Sequence, residues 1–205
     1  MIMNSLIKYV CIVLALSAIS GCRAFRIGIY DQDPEKARSI TERYDPRDFK
    51  SMPTEIVQKL LNHPFPPAGA EAPLVVDMGI QNRTKTHMDT LALADNVTTK
   101  LLNSKKVRLV QSNRRDALLK EQGYQLKNCP EDKRVKIGKQ LGAKYMITGS
   151  MVELGAKSGR QVRVSKKEDV YYQLTLEITD LQTAEVIVKK QVDRMRRASK
   201  PIIGW

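Results

Sequence analysis

The sequence predicts an α/β (α+β) fold, in which a single domain holds a mixed sheet of about five strands with helices packed on it. Three patterns support this class. An apolar run at residues 74–80 is followed by a segment of helical periodicity and a second apolar run at 107–110, as in a βαβ unit. Two charged segments with helical spacing come next. From Tyr172 onward apolar and polar residues alternate, as in a strand with one face in water.

The predicted order is β-α-β-α-α-β-β-β, preceded by one N-terminal helix. In that helix, Ile56 and Leu60 recur at helical spacing, and Ser51 is available as the N-cap. Pro53 then falls in the first turn, where proline is tolerated. We expect a helix of about 11 residues, followed by a proline-rich strap over residues 64–73.

The βαβ unit comes next in the chain. Residues 74–80 form its first strand, and Thr86 with Asp89 matches a capping box at the start of its helix. Because two strands joined by a helix lie parallel, we expect a right-handed parallel crossover to the strand at 107–110. The apolar face of the helix is predicted at Met88, Leu91, Ala94, Val97, Leu101 and Leu102.

Two helices and an antiparallel meander complete the prediction. Asn113 is available to cap the first helix, and the second, around Ile137, ends at Gly142. The meander strands are predicted at residues 145–152, from Tyr172 to about 179, and at 186–188. A long basic loop from Lys157 to Lys167 joins the first two of them.

The N-terminus has the features of an export signal. Lys8 precedes an apolar run of about a dozen residues, which is too short to span a hydrocarbon core that needs about 20. The run ends in Ile19-Ser20-Gly21-Cys22, which resembles the bacterial lipobox. We expect residues 1–21 to be a lipoprotein signal peptide and Cys22 to carry lipid. The alternatives are an ordinary signal peptide with a chance cysteine, or a short uncleaved anchor.

The expected domain organisation follows from this signal and from composition. Residues 22–47 are polar and charged, which indicates a flexible tether that could extend roughly 80 Å. Residues 48–73 form the helix and the proline-rich strap, and 74–205 the globular domain. The apolar tail that ends in Trp205 is expected to fold back onto the sheet, although it could instead anchor a partner.

The chain is basic, with a formal net charge of +13. In the cytoplasm this charge would suggest nucleic acid as a partner, but export excludes that class. The remaining acidic partners are a negatively charged protein, anionic lipid, or the carboxylates of cell-wall peptide stems. A solvated basic surface without a partner is the alternative.

Four short motifs stand in order along the chain: Asn82-Arg83-Thr84, residues 100–105, Gly142-Ala143-Lys144-Tyr145 before a strand containing Gly149, and residues 171–183. Together they resemble the LpoB family of outer-membrane lipoproteins. The similarity extends from about Tyr44 to Lys200, nearly the whole mature chain. Three departures stand out: the tether is shorter and less proline-rich than in enterobacterial members, Pro53 interrupts a helix that would otherwise start near Asp48, and Ala184 replaces the usual turn glycine.

The resemblance implies a binding function without chemistry of its own. Members bind and activate a class A, bifunctional penicillin-binding protein, a peptidoglycan synthase, while anchored by lipid in the outer membrane and facing the periplasm. We expect a monomer, with peptidoglycan itself as a further candidate contact and no nucleic acid. The candidate partner-binding residues lie in two basic loops: Arg83, Lys85, His87, Lys157, Arg160 and Arg163.

A search for catalytic and cofactor patterns supports a protein that is not an enzyme. His63 and His87 lack metal-ligand spacing, and neither a phosphate-binding loop nor a nucleophile elbow is apparent. We therefore expect no metal and no cofactor. Cys129 has no disulfide partner, because Cys11 would leave with the signal and Cys22 would carry lipid. An assembly lipoprotein of the curli-export type is the alternative, although the chain has no room for its membrane strands.

Overall fold

A computed structural model of the protein describes residue 33 and residues 43–63, 65–67, 69, 71–157 and 165–201. All of these except Asp33 belong to one compact unit over residues 34–205. The predicted lipidation site Cys22 and most of the tether lie outside the described residues. So do Arg160, Arg163 and the tail that ends in Trp205.

The described elements form a five-stranded mixed sheet with helices on both faces. The strand order is β2-β1-β3-β4-β5. This confirms the predicted fold class and the order β-α-β-α-α-β-β-β after an N-terminal helix. The helices are α1 (Pro46–Leu61), α2 (Thr90–Asn103), α3 (Ser112–Glu121) and α4 (Glu131–Gln140), with a 3₁₀ turn at Leu126–Asn128; the strands are β1 (Leu74–Arg83), β2 (Arg108–Leu109), β3 (Tyr145–Lys157), β4 (Ser165–Asp180) and β5 (Val186–Pro201).

The sheet combines a parallel and an antiparallel half. β1 lies between β2 and β3 and pairs parallel with both, with Val75 beside Leu109 on one side and Tyr145 on the other. β3, β4 and β5 form an antiparallel meander in which Leu174 pairs with Met151 and Val192. The predicted parallel crossover and meander are therefore both present.

Each face of the sheet has its own hydrophobic core. Helices α1 and α2 cover one face, where Ile56 and Leu93 pack on Leu174 and other residues of the meander. Helices α3 and α4 cover a smaller area on the other face. The members of this smaller core are Val76, Met78, Leu119, Cys129, Ile137, Ala143, Met146 and Leu181.

Helix α1 begins earlier than the sequence predicted. Asp45, not Ser51, is the N-cap: its Oδ1 accepts from the Asp48 amide at 3.1 Å, and Asp48 Oδ2 accepts from the Asp45 amide at 3.3 Å. This reciprocal pair is a capping box made of two aspartates. The prediction of a Ser51 cap was wrong because it assumed that Pro53 must lie in the first turn.

Pro53 lies inside α1 and does not interrupt it. A proline has no amide hydrogen, so the Phe49 carbonyl four residues earlier loses its partner within the helix. Asn96 of α2 replaces that partner, because its Nδ2 donates to the Phe49 oxygen at 2.9 Å. The helix therefore continues through the proline, and the expected interruption does not occur.

The starts of α2 and α3 also differ from prediction. Asp89 caps α2 by accepting from the Ala92 amide at 3.0 Å, whereas Thr86 takes no part in the cap. In α3, Gln111 occupies the N-cap position without a side-chain hydrogen bond, so Asn113 is not a cap.

The apolar face of α2 is also shifted from the predicted one. Leu91 and Leu102 are 63% and 52% exposed, whereas Leu93, which the predicted face omitted, is fully buried. Leu93, Ala94, Val97 and Leu101 form the buried stripe. The predicted face was therefore correct for Ala94, Val97 and Leu101, and Met88 before the helix packs against the same core, whereas Leu91 and Leu102 were wrong.

The meander strands are longer than predicted. β3 extends to Lys157 and β4 begins at Ser165, so Lys157 pairs with Glu168 in a ladder instead of lying in a long loop. The β4–β5 turn places Ala184 at φ 62°, which is the left-handed conformation that favours glycine. Ala184 therefore stands where the backbone conformation favours the glycine that is usual at this turn.

Candidate functional site

The candidate site is the segment that leaves the carboxyl end of β1, from Arg83 to Asp89, which we call the β1 loop. The neighbours of β1 on both sides are parallel to it, and their crossover helices lie on opposite faces of the sheet. This arrangement is a topological switch point, the position where open α/β sheets bind their ligands.

The Asn82 side chain organises the β1 loop. Its Oδ1 accepts from the Thr84 amide at 2.9 Å, and its Nδ2 donates to the carbonyls of Thr86 and Met88, both at 3.4 Å. The Thr84 hydroxyl lies 2.7 Å from Asn82 Oδ1 and 2.8 Å from the Thr86 carbonyl. A loop with this internal bonding loses little conformational entropy when it binds a partner.

A further bond attaches the β1 loop to the sheet. The Thr86 hydroxyl lies 3.0 Å from Glu153 Oε2 on β3, 67 residues later in the chain. Thr84 and Thr86 thus face the protein, whereas Arg83, Lys85 and His87 alternate with them and are exposed. The three basic candidates in this loop are therefore presented together on its outer side.

Lys157, the one described residue of the second basic group, lies away from the β1 loop. Arg83 pairs with Val152 of β3, and Lys157 lies five residues further along that strand, roughly 17 Å away at 3.3 Å per residue. Arg160 and Arg163 fall outside the described residues. Their role in partner binding stays a prediction.

Two cavities flank the β1 loop, and His87, Met88 and Asp89 line both. The larger has a volume of about 540 Å³ and lies between the end of β1, the start of α2 and the 3₁₀ turn. The smaller, of about 330 Å³, is bounded by Tyr44 and Tyr172. The loop is thus a ridge between two depressions.

The smaller cavity has two buried phenols. Tyr44 and Tyr172 meet edge to face, with ring centroids 5.9 Å apart. Burial raises the pKa of both phenols, so both hydroxyls keep their protons at neutral pH. In the described part of the chain neither hydroxyl proton has an acceptor.

A buried ion pair lies where β1 bulges before the loop. Arg115 Nη1 donates to the Asp77 carbonyl and to Asp77 Oδ2, both at 2.9 Å, while Asp77 Oδ1 accepts from the Gly79 amide. Gly79 has φ 81° at this register shift, a conformation that a side chain would strain. Burial raises the pKa of Asp77 even though the Gly79 amide and Arg115 lower it.

Sequence reasoning missed several of these residues. Arg115 was not among the residues that the sequence singled out, yet it is a buried cation, 7% exposed. The available signal was Asp77, a carboxylate inside an apolar strand, which requires a buried partner. The organising role of Asn82 had a weaker signal in the Thr84 two residues later, a spacing typical of Asx turns.

The surroundings of Cys129 are those of a residue that packs in a core. Cys129 is buried in the smaller core, and burial raises the pKa of its thiol. Among the residues that the structure describes, no three His, Cys, Asp or Glu side chains are grouped as metal ligands would be. Likewise, none of the described helices is long and apolar enough to cross a membrane.

Comparison with solved structures finds a similar fold in LpoB proteins of two bacteria. The C-terminal domain of LpoB from Salmonella enterica has a TM-score of 0.54 at 19% identity, and covers 72% of this chain and 98% of that one. The corresponding Escherichia coli domain gives 0.52 at 16% identity, over 69% and 97%. An NMR structure of Escherichia coli LpoB gives 0.51 at 18% identity, over 85% and 83%. These similarities establish the fold. Curated protein sequences give no match.

Fold and loop geometry together define an α/β domain that presents an ordered basic loop at a switch point. A family model described as peptidoglycan-synthase activator LpoB matches residues 48–193, most of the chain. The protein therefore belongs to the LpoB family. This confirms the resemblance on which the functional expectations depend, and the family consists of activators of an enzyme rather than catalysts.

Proposed function

We propose that this protein binds a class A penicillin-binding protein and activates it while tethered through lipid at Cys22 to the outer membrane, facing the periplasm. The match to the activator family over residues 48–193 supports the activating role, and the run Ile19-Ser20-Gly21-Cys22 supports the lipid anchor. The protein acts as a regulator: binding the active conformer of the synthase more tightly by about 1 to 3 kcal/mol would raise its activity about 5- to 150-fold.

The β1 loop is the proposed contact with the synthase. Arg83, Lys85 and His87 are exposed on it, and the Asn82 bonds hold its backbone in one arrangement. Two neighbouring cations on an ordered loop favour an acidic surface on the partner, and long-range attraction would increase the association rate. Lys157, Arg160 and Arg163 are a second proposed contact, carried by their positive charge alone.

Charge reversal tests the β1 loop directly. The double variant Arg83→Glu with Lys85→Glu should abolish copurification of the synthase from solubilised envelope. The matched control is Lys136→Glu with Lys139→Glu, which makes the same charge change at exposed positions of α4 and should leave copurification intact. Undiminished binding by the loop variant would remove this loop from the interface.

A second variant separates loop order from loop charge. Asn82→Ala keeps Arg83, Lys85 and His87 but removes the bonds to Thr84, Thr86 and Met88. We expect weaker binding of the synthase together with faster amide exchange in the loop. Asn113→Ala, an exposed asparagine in α3, is the control for both measurements.

The lipid anchor has its own test. Cys22→Ser should move the protein from the membrane fraction into the soluble periplasm. Unchanged fractionation with the outer membrane would contradict lipidation at Cys22.

A further inference from the structure

The larger cavity beside the β1 loop, which we call the switch-point crevice, has the position and size of a ligand site. It lies at the carboxyl end of β1, and the helices that follow β1 and its neighbour β2 cover opposite faces of the sheet. Its volume of about 540 Å³ falls in the range of about 300 to 1,000 Å³ that is typical of small-molecule sites. A partner protein usually covers flatter surfaces, so this concavity favours a small ligand.

The inner part of the crevice is apolar. Met78, Met88 and Leu126 line it, and Leu91 of α2, which is largely exposed to solvent, lines it as well. Methionine adapts its shape to different apolar guests. This part of the crevice would therefore accept one or two small apolar groups.

The other end of the crevice is cationic. Arg134 lines it and also lines a smaller neighbouring cavity of about 200 Å³, which Arg83 reaches from β1. Arg134 Nε donates to the Cys129 carbonyl at 2.9 Å, and its Nη2 donates to the Leu126 carbonyl at 3.3 Å. These bonds fix the plane of the guanidinium, which reduces the entropy lost when it binds an anion.

Acidic groups also line the two cavities, and two of them, Glu177 and Asp89, have partners within the protein. Glu177 lines the smaller cavity but is paired with Lys189, and Asp89 of the crevice accepts from the Ala92 amide as the α2 cap. Glu131 also lines the smaller cavity, in the first turn of α4. Lys127 adds a further positive charge to the wall of the crevice. The site thus has an apolar interior and a cationic end.

We propose that the switch-point crevice binds a short acidic peptide, with small apolar side chains against Met78 and Leu126 and a carboxylate against Arg134 and Arg83. The inference is independent of the proposed interaction with a synthase. It would make the protein a receptor for a soluble peptide as well as a binding domain for a protein.

Titration of the full-length protein with a defined peptide tests this proposal. The probe is the tetrapeptide Ala-Glu-Ala-Ala with free carboxylates, and its control is the same peptide with every carboxylate amidated. We expect saturable changes in the NMR signals of Gln81, Asn82 and Lys127, and binding of the amidated peptide that is weaker by about tenfold or more. Equal binding of both peptides, or signal changes confined to another surface, would overturn the proposal.

Three variants locate the site. Arg134→Gln should weaken binding of the free acid by about tenfold or more, because it removes a charged hydrogen-bond donor. Since Arg134 also supports two carbonyls, Lys127→Gln and Leu91→Ala provide tests at positions whose side chains are exposed, and each should weaken binding. Lys139→Gln on the same helix as Arg134 should leave it unchanged. Peptide affinity that none of the first three variants alters excludes the crevice, whatever the result of synthase copurification.

Discussion

Arg196 Nη2 lies 2.7 Å from Asp48 Oδ1, and this contact joins the first helix to the last strand across 148 residues of sequence. Through Nη1 the same guanidinium lies 3.0 Å from Asp45 Oδ2 and donates to the Arg43 carbonyl at 2.7 Å. Asp48 is 1% exposed, so its charge depends on this partner. One arginine therefore holds the beginning of α1 against β5.

Arg196→Met should destabilise the domain by about 3 kcal/mol, because removing one member of a buried ion pair leaves the other charge uncompensated. Urea unfolding would measure the loss. The neighbouring Arg197 pairs with Asp169 in an exposed setting, so Arg197→Met is the control and should hardly move the unfolding midpoint. Equal loss of stability in the two variants would contradict the role of Arg196 in holding α1 against β5.

Asp48 should also make stability depend on pH. Burial is the largest cause of its raised pKa and the charge of Asp45 adds to it, whereas Arg196 opposes both. Between the ordinary carboxyl pKa of 3.8 and the raised native pKa, the folded protein binds more protons than the unfolded chain, so stability falls as pH rises through this window.

The variant Asp48→Asn removes that contribution. Thermal unfolding between about pH 3.5 and pH 7 should show a smaller decline of stability with rising pH in the variant than in the parent protein. Asp77, whose pKa burial also raises, remains in both and provides a common background. Parallel pH profiles would rule out Asp48 as a source of the dependence.

The bond from Asn96 to the Phe49 carbonyl should matter only because Pro53 lacks an amide hydrogen. Asn96→Ala should cost about 1 to 3 kcal/mol, since it leaves a helix carbonyl without a partner. In a Pro53→Ala background the amide of residue 53 can donate to the Phe49 carbonyl. Asn96→Ala should therefore cost less stability in that background. Urea unfolding of the parent, the two single variants and the double variant gives the coupling free energy between Asn96 and Pro53. A coupling free energy near zero would show that Asn96 does not compensate for the proline.

Ala184→Gly should stabilise the domain by about 1 kcal/mol, because a left-handed conformation costs about that much for any residue with a Cβ. The control is Ala117→Gly at an exposed position of α3, which should destabilise by about 0.5 to 1 kcal/mol. The unfolding midpoint should rise in Ala184→Gly and fall in Ala117→Gly. Loss of stability in both variants would mean that the turn does not strain Ala184.

The order of elements could be predicted because local periodicity specified each one. The alternation from Tyr172 and the apolar run at residues 74–80 required no knowledge of distant residues. The passage of α1 through Pro53 could not be predicted in the same way. This continuation depends on Asn96, which lies more than 40 residues later and belongs to another helix.

The site could be predicted only in part for a similar reason. Arg83, Lys85 and His87 were identified as loop residues, and the structure places all three on the exposed side of the β1 loop. Arg134 was not identified, because the sequence shows only a cation in a charged helix. Its place in the crevice follows from the packing of α4 and the 3₁₀ turn against the end of β1.

The three contacts of Arg196 have a mechanical consequence. Tension on the chain before Arg43 would act first on the Arg43 carbonyl and the two aspartates, and the guanidinium would transmit it to β5. β5 pairs with β4 along nearly its whole length, so the load would spread over many backbone hydrogen bonds pulled together. A pull at Arg43 would therefore be resisted by the β4–β5 ladder as well as by α1.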